Sequence, residues 1–396
     1  MAPLGIYVSI PFCRSKCSYC NFASGVVSQT MFERYVDKVC AEIQHADQTA
    51  NQMGGMFDKV IDSIYLGGGT PTLLRMDDLT RVFAALRNRF MQGPDAEITV
   101  ECAPGTITAE SLETLIRNGV TRVSLGVQSF VDKEVRSVGR LHSQAIALSD
   151  IERLRAAGIS NINVDLIAGL PYQDDNSWRY SLKEALNTGV PHVSVYMLEI
   201  DDDSRLGREL VAGGSHYHAH HVPDDNLIAE LYGTACETLP QAGVFQYEIS
   251  NFARPGNESQ HNFKYWTRQP YMGFGVDAHS FLPVVSGDLR PEAELDAVRF
   301  SNPDSLDLYL AGKPLNLVPV PVAAAAEECF FLGLRLNRGL ELRTVEQTQI
   351  SGADLKATIA DLCEMGLLDY DCHSDVIRLT QRGRLLSNEV FARFIA

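Results

Sequence analysis

Three cysteines fall within eight residues near the start of the chain, in the run Cys13-Arg-Ser-Lys-Cys17-Ser-Tyr-Cys20. Thiolates this close suit a metal centre. Three of them leave a tetrahedral zinc site one ligand short. The same three can hold three irons of a [4Fe–4S] cluster and leave the fourth iron open to an exogenous ligand. A zinc site completed from elsewhere and an inert group of thiols are the alternatives. Of the nine cysteines, the other six (Cys40, Cys102, Cys236, Cys329, Cys363 and Cys372) are scattered. A disulfide framework belongs to short secreted chains, so the clustering points to metal or redox chemistry. Histidines offer a second chemistry. His216, His218, His220 and His221 crowd one polar stretch, where imidazoles can bind a transition metal or haem iron, or simply face solvent. Cys372-His373 has the look of a haem-regulatory pair but lacks a following Pro, so it reads as an ordinary Cys-His neighbour pair. His261 sits in His261-Asn262-Phe263-Lys264-Tyr265-Trp266, flanked by Phe252, Tyr271 and Phe274. Flat apolar walls of this kind suit a porphyrin, and an ordinary packed loop has them too.

Charge narrows the function classes. Lys plus Arg is 34 against 50 Asp plus Glu, a net −16 over 396 residues. That argues against binding nucleic acid or anionic membrane mainly by charge. No stretch approaches the ~20 apolar residues of a membrane span. The first ten residues lack the basic start and cleavage site of a signal peptide, so a cytoplasmic protein is expected.

These residues need elements to position them. Through residue 200, strand-like and helix-like segments alternate. Strands are predicted at 5–11, 63–66, 97–102, 122–127, 161–167 and 192–200, with helices at 31–46, 77–90, 108–117, 143–157 and 177–187. The helix at 108–117 opens on a capping Thr108 with Glu113 and closes at Asn118-Gly119. Apolar strand runs alternating with helices imply an α/β fold with a parallel sheet and helices outside. Six such steps fall short of the eight of a closed barrel, so a partial (β/α)6 barrel is expected. The cysteine run follows the first strand, and Gly67-Gly68-Gly69-Thr70-Pro71 follows the second. Both therefore lie at the C-terminal end of the strands, where such folds carry their sites. Beyond residue 200 the rhythm stops. Residues 201–223 are polar and rich in Gly and His, with a solvated loop at 215–222; 226–239 reads as a helix, and 248–282 as irregular structure with a strand. From 327 three helices and a hairpin at 367–379 follow, in the order of a winged helix. The expected organisation is a partial barrel over 1–200, an extension carrying the His261 motif over 201–300, and a small helical, winged-helix-like domain over 301–396. With no basic recognition stripe, that last unit reads as a docking or lid domain.

Cys13, Cys17, Tyr19 and Cys20 resemble the C-x3-C-x-Φ-C signature of radical S-adenosylmethionine enzymes, and Gly67–Pro71 resembles that superfamily's glycine motif. Further segments resemble its HemN/HemW branch. They are Tyr7, Glu101-Cys-Ala-Pro104-Gly105, Gly126-Val-Gln128-Ser129-Phe130, Gly139-Arg140, and Asn163-Val-Asp165 through Gly169-Leu-Pro171. Ala103 stands where the branch leads one to expect Asn. The resemblance implies a radical S-adenosylmethionine barrel with a [4Fe–4S] cluster on Cys13, Cys17 and Cys20, and S-adenosylmethionine at the open iron. The implied cofactor shell is Tyr7, Tyr19, Gly68, Gly69, Thr70, Glu101, Gln128, Arg140 and Asp165. Within the branch, Phe22 occupies the position of a further cysteine in the coproporphyrinogen oxidases, and His-Asn-x-x-Tyr-Trp resembles the HemW group. That group implies haem as a third ligand, with His261 as candidate axial ligand, and a chaperone delivering haem to an acceptor protein. It also implies a one-electron reductant of flavodoxin or ferredoxin type. Oxidase activity is not expected, and cleavage of S-adenosylmethionine stays open. The alternatives are a HemN-like enzyme acting on a porphyrin by coproporphyrinogen III decarboxylation or haem ring opening, a radical methyltransferase, and an interaction protein whose cluster is structural or redox-sensing.

Overall fold

A computed structural model describes residues 1–284, 295–344 and 352–395. Parts of the expected 201–300 unit and of the C-terminal helical run, 285–294 and 345–351, lie outside the described residues. Six strands lie side by side in chain order: β1 (Leu4–Ser9), β2 (Val60–Gly67), β3 (Met91–Cys102), β4 (Arg122–Gln128), β5 (Asn161–Ala168) and β6 (His192–Met197). Each is parallel to the next.

Successive strand residues point to opposite faces. One face is aliphatic and buried, with Ile6 and Val8, Ile64 and Leu66, Ile98 and Val100, Val123 and Leu125, Val164 and Leu166. Each such side chain contributes roughly 1.5–3 kcal/mol by leaving water. The opposite face carries Tyr7, Tyr65, Thr99, Glu101, Ser124 and Asp165. The strand runs are therefore alternating rather than uniformly apolar, and the polar face is free to line a cavity. The helices end where local chemistry says they should. Ala109–Arg117 is opened by a capping box in which Thr108 N donates to Ser111 Oγ (2.8 Å) and Ser111 N to Thr108 Oγ1 (3.0 Å). Ser111, not the predicted Glu113, closes that box, and Glu113 pairs with Arg117 on the surface.

The sheet grows from both edges. Beside β6 stand β7 (Phe245–Gln246) and β8 (Asn251–Ala253), with β8 antiparallel to β6. Beside β1 stands β9 (Tyr271–Phe274), parallel to it, then β10 (His279–Pro283), β11 (Leu295–Ser301) and β12 (Asn316–Pro321), antiparallel. The twelve-stranded sheet runs β12-β11-β10-β9-β1-β2-β3-β4-β5-β6-β8-β7 and crosses residues 200 and 300 without a break. Beyond residue 200 the chain holds more regular structure than its composition suggests, and the irregular reading of 248–282 needs correction. Residues 201–223 contain a helix, Arg205–Ala212, whose start is marked by the Ser204 side chain accepting from Gly207 N. Residues 248–282 hold three strands and the helix Gln260–Trp266, elements too short for periodicity to register.

The C-terminal part has its own core, including Phe330, Leu362, Ile377 and Phe391. The helices Val322–Gly333 and Gly352–Glu364 stand with a three-stranded antiparallel sheet of Leu340–Glu341, Val376–Leu379 and Leu368–Asp371. Among the described residues no helix is long and apolar enough to cross a membrane.

Candidate functional site

A cavity of about 590 Å³ opens at the C-terminal ends of the six parallel strands. Cys13, Cys17 and Cys20 line it from one side, on the loop that leaves β1. That loop is tied down by backbone bonds: Cys13 N donates to Gly25 O (3.0 Å) and Ser18 N to Val138 O (3.1 Å). Burial pushes the Cys13 thiol up, so it favours the neutral form when nothing is bound. Among the described residues no three His, Cys, Asp or Glu side chains converge on the position of one metal ion. Three thiols lining one cavity suit a cluster, in which each cysteine holds a different iron.

The glycine run supplies the second wall. A Cβ on Gly69 would lie 2.6 Å from Ile10 O and 2.8 Å from Phe12 O, so only glycine lets this loop pack on the chain entering the cysteine run. Thr70 N donates to Phe12 O (2.8 Å) across the same junction. Gly68 takes a φ of 90° and donates its N–H to Glu101 Oε2 (3.1 Å), while Tyr65 Oη donates to Glu101 Oε1 (2.8 Å). Burial raises the Glu101 carboxyl to about 7, against those two hydrogen bonds. Across the cavity, Ser124 Oγ and Asn163 Nδ2 donate to the two oxygens of Asp165 at 3.0 and 2.7 Å. Burial also raises Asp165, and these bonds oppose it. Burial works against the charge of Arg140, yet Tyr19, Cys17 and Asp165 around it hold the guanidinium firmly protonated. Arg140 Nη2 donates to Tyr19 Oη (3.2 Å).

Two polar atoms here are buried and bonded to nothing: Gln128 Oε1 and Arg140 Nε. Buried polar groups normally have partners. An acceptor and a charged donor held ready in one cavity fit a ligand with an ammonium or hydroxyl and a carboxylate, the functional groups of S-adenosylmethionine.

Of the residues singled out from sequence, the cavity gathers the three cysteines with Tyr19, Gly68, Gly69, Thr70, Glu101, Gln128, Arg140 and Asp165. Tyr7 stands behind it, its ring stacked on Tyr65 at 6.2 Å between centroids. His261 is also behind it, 1% exposed. Its Nδ1 meets Ser63 Oγ at 2.9 Å, its Nε2 meets Tyr265 Oη at 2.8 Å, and its ring stacks on Tyr65. Burial beside Lys264 lowers its pKa to about 3, so the ring is neutral. Both nitrogens are thus taken by hydroxyls. His218 bonds Tyr172 Oη and His221 packs at a tilt against the Tyr172 ring, away from the cavity. Tyr65, Ser124, Tyr196 and Glu199 also line the cavity and were not singled out. Strict alternation along β2, β4 and β6 places Tyr65, Ser124 and Tyr196 on the polar face, and that signal was available in the sequence.

The chain matches the radical SAM superfamily over residues 7–185 and the HemN C-terminal domain over 320–386. It is 31% identical over 397 residues to a Bacillus subtilis protein named heme chaperone HemW, spanning 98% of each chain. To the protein of that name in Escherichia coli it is 32% identical over 399 residues, spanning 100% of this chain and 99% of that one. Its structure is similar to that of the coproporphyrinogen III oxidase HemN from Escherichia coli, with a TM-score of 0.80 over 99% of this chain and 90% of the other. At 24% identity that likeness shows the fold.

Proposed function

The chain belongs to the radical SAM superfamily and, within it, to the HemW family, and from that premise we propose that it binds a [4Fe–4S] cluster, S-adenosylmethionine and haem, and passes haem to an acceptor protein in the cytoplasm. The observation that carries the cofactor reading is the pair of unpartnered atoms, Gln128 Oε1 and Arg140 Nε, in a cavity rimmed by three cysteines.

Cys13, Cys17 and Cys20 would hold three irons. When bound, such a cluster supplies one-electron reduction of a sulfonium. The chain's own residues do the rest. Arg140 would take a carboxylate. Gln128 and the backbone around Gly68–Thr70 would take an amino group and a close-lying chain. Asp165 and Glu101 would take an ammonium or ribose hydroxyls. Phe22 is 64% exposed where it lines the cavity, an apolar edge where the oxidases carry a thiol. This favours holding a porphyrin over oxidising one.

His261 is proposed as the haem ligand under a stated geometric condition. Its Nε2 must part from Tyr265 Oη before it can meet an iron. Titration of anaerobically reconstituted protein with haemin is the test. A Soret shift near one equivalent is expected, weakened in His261→Ala and undiminished in Tyr265→Phe, with iron from the cluster lost only when Cys13, Cys17 or Cys20 becomes Ala. Identical titrations for wild type and His261→Ala would remove His261 as ligand. Turnover of coproporphyrinogen III would overturn the chaperone reading.

A further inference from the structure

A second concavity, of about 290 Å³, adjoins the cysteine loop, and Ser15 and Lys16 line both it and the main cavity. Its other walls include Ser18, Val26, Arg205 and Tyr217. None of its lining residues is Asp or Glu. That is unexpected in a chain of net charge −16 with 50 carboxylates. Asp201, Asp202 and Asp203 lie just before Ser204, the cap of the helix Arg205–Ala212, yet none of them lines the concavity.

Its polar groups are donors. Lys16 and Arg205 form no ion pair among the described residues. Lys16 Nζ donates to Phe22 O (3.2 Å) and Arg205 Nη1 to Lys16 O (3.2 Å), and each keeps further N–H groups. Ser18 is 3% exposed, and its buried Oγ has no partner. Its backbone is pinned on both sides, Ser18 N to Val138 O (3.1 Å) and Leu206 N to Ser18 O (2.8 Å), so the hydroxyl has no easy path to water. Two cations without acidic partners and an orphaned hydroxyl share one small space beside the apolar Val26.

We infer that this concavity binds a small oxyanion of the phosphate or phosphate-monoester class, held by Lys16, Arg205 and the Ser18 hydroxyl. Guanidinium and ammonium groups are the side chains that match such an anion. Its occupant links the segment 16–18, which contains Cys17, to the helix Arg205–Ala212. Occupancy therefore stiffens the cysteine loop.

The test is thermal unfolding of the full chain without added cofactors, which keeps it independent of the haem proposal. Inorganic phosphate is compared with sodium chloride at equal ionic strength, and with glycerol phosphate. A saturable rise in Tm with phosphate or its ester, absent with chloride, is expected. A preference for phosphate identifies the free ion as the better ligand, and a preference for the ester identifies the monoester; either supports the site. Arg205→Gln should weaken the apparent affinity about tenfold, the loss of one charge-assisted contact, and Arg205→Lys should largely retain it. Val26→Phe, at an exposed position, fills the space and should abolish the effect without relying on the charge. Equal phosphate dependence in wild type, Arg205→Gln and Val26→Phe would overturn the inference, as would an equal response to chloride.

Discussion

At Gln128 the backbone enters the left-handed region with φ 69°, and the register between β4 and β5 shifts between Leu125 and Gln128. A non-glycine residue there costs about 1–3 kcal/mol. A bulge of this kind re-aims a side chain, and here it turns an amide into the cavity and leaves its oxygen unpartnered. Gln128→Ala should lower S-adenosylmethionine affinity ten- to a hundredfold, about 1.5–3 kcal/mol, with iron content unchanged, measured by equilibrium dialysis under anaerobic conditions. Gln128→Gly should lose the same affinity while unfolding at a higher temperature, because it relieves the strain. Loss of stability together with affinity in both variants would make the residue structural. Glu101 sets a pH dependence. Burial raises its pKa from 4.5 to about 7. The fold thus favours the protonated carboxyl, and this contribution to stability is complete below about 4.5 and lost as pH rises through 7. Between those limits the Tm of cofactor-free wild type should fall more steeply than that of Glu101→Gln. Parallel curves would show that Glu101 does not carry the dependence.

At the scale of elements, the site is the junction of two loops. The loop after β2 packs so closely on the loop after β1 that Gly69 faces Ile10 O, Phe12 O and Phe12 N, all within 2.9 Å of a Cβ position. Backbone cannot move aside as a flexible side chain can. Gly69→Ala should therefore lower stability by about 1–3 kcal/mol, as overpacking does, and reduce the cluster content of reconstituted protein, read as iron and sulfide per chain. Full cluster content at wild-type stability would mean the junction is looser than it is here. The short helix Gln260–Trp266 plays a supporting part. Ser259 Oγ and His261 N both donate to Glu97 Oε1 at 3.3 Å, and His261 stacks beneath Tyr65, which holds Glu101. The motif that reads as a haem site in sequence thus also props the cavity floor.

At the scale of the whole molecule, the barrel and the C-terminal part are joined by a compact charged group. Glu328, on the helix Val322–Gly333, accepts from Arg268 Nε (2.8 Å) and from Arg299 on β11. Burial opposes its charge, but the hydrogen bonds from Arg299 and Arg268 win and hold its carboxyl below the usual range. Removing the shared anion strips Arg299 of its carboxylate, while Arg268 keeps Asp296 at 2.9 Å. Glu328→Ala should therefore destabilise the protein by about 1.5–3 kcal/mol, seen as a lower urea midpoint. If the midpoint shifts by less than a surface pair would give, Glu328 does not bind the two parts together. A second link, the isolated bridge between Glu248 and Leu336, lies at the other edge of the sheet.

The parts of this protein that chemistry constrains locally were legible in its sequence. The spacing of Cys13, Cys17 and Cys20, the glycine run at Gly67–Gly69 and the alternation of six strands with helices each follow from a few neighbouring residues and survive in the structure. Helix starts were legible for the same reason, since a cap such as Thr108 is a local bond, although its partner proved to be Ser111. Other features depend on which strands become neighbours and on how short elements pack, and periodicity does not carry that information. The floor formed by Tyr65 under Glu101 is one case. The approach of Ser124 to Asp165 from the next strand is another, and so is the placement of His261 behind the cavity with both nitrogens engaged. The Glu101 pKa belongs with them, because the burial that raises it comes from residues brought together by the fold rather than from its neighbours in the chain.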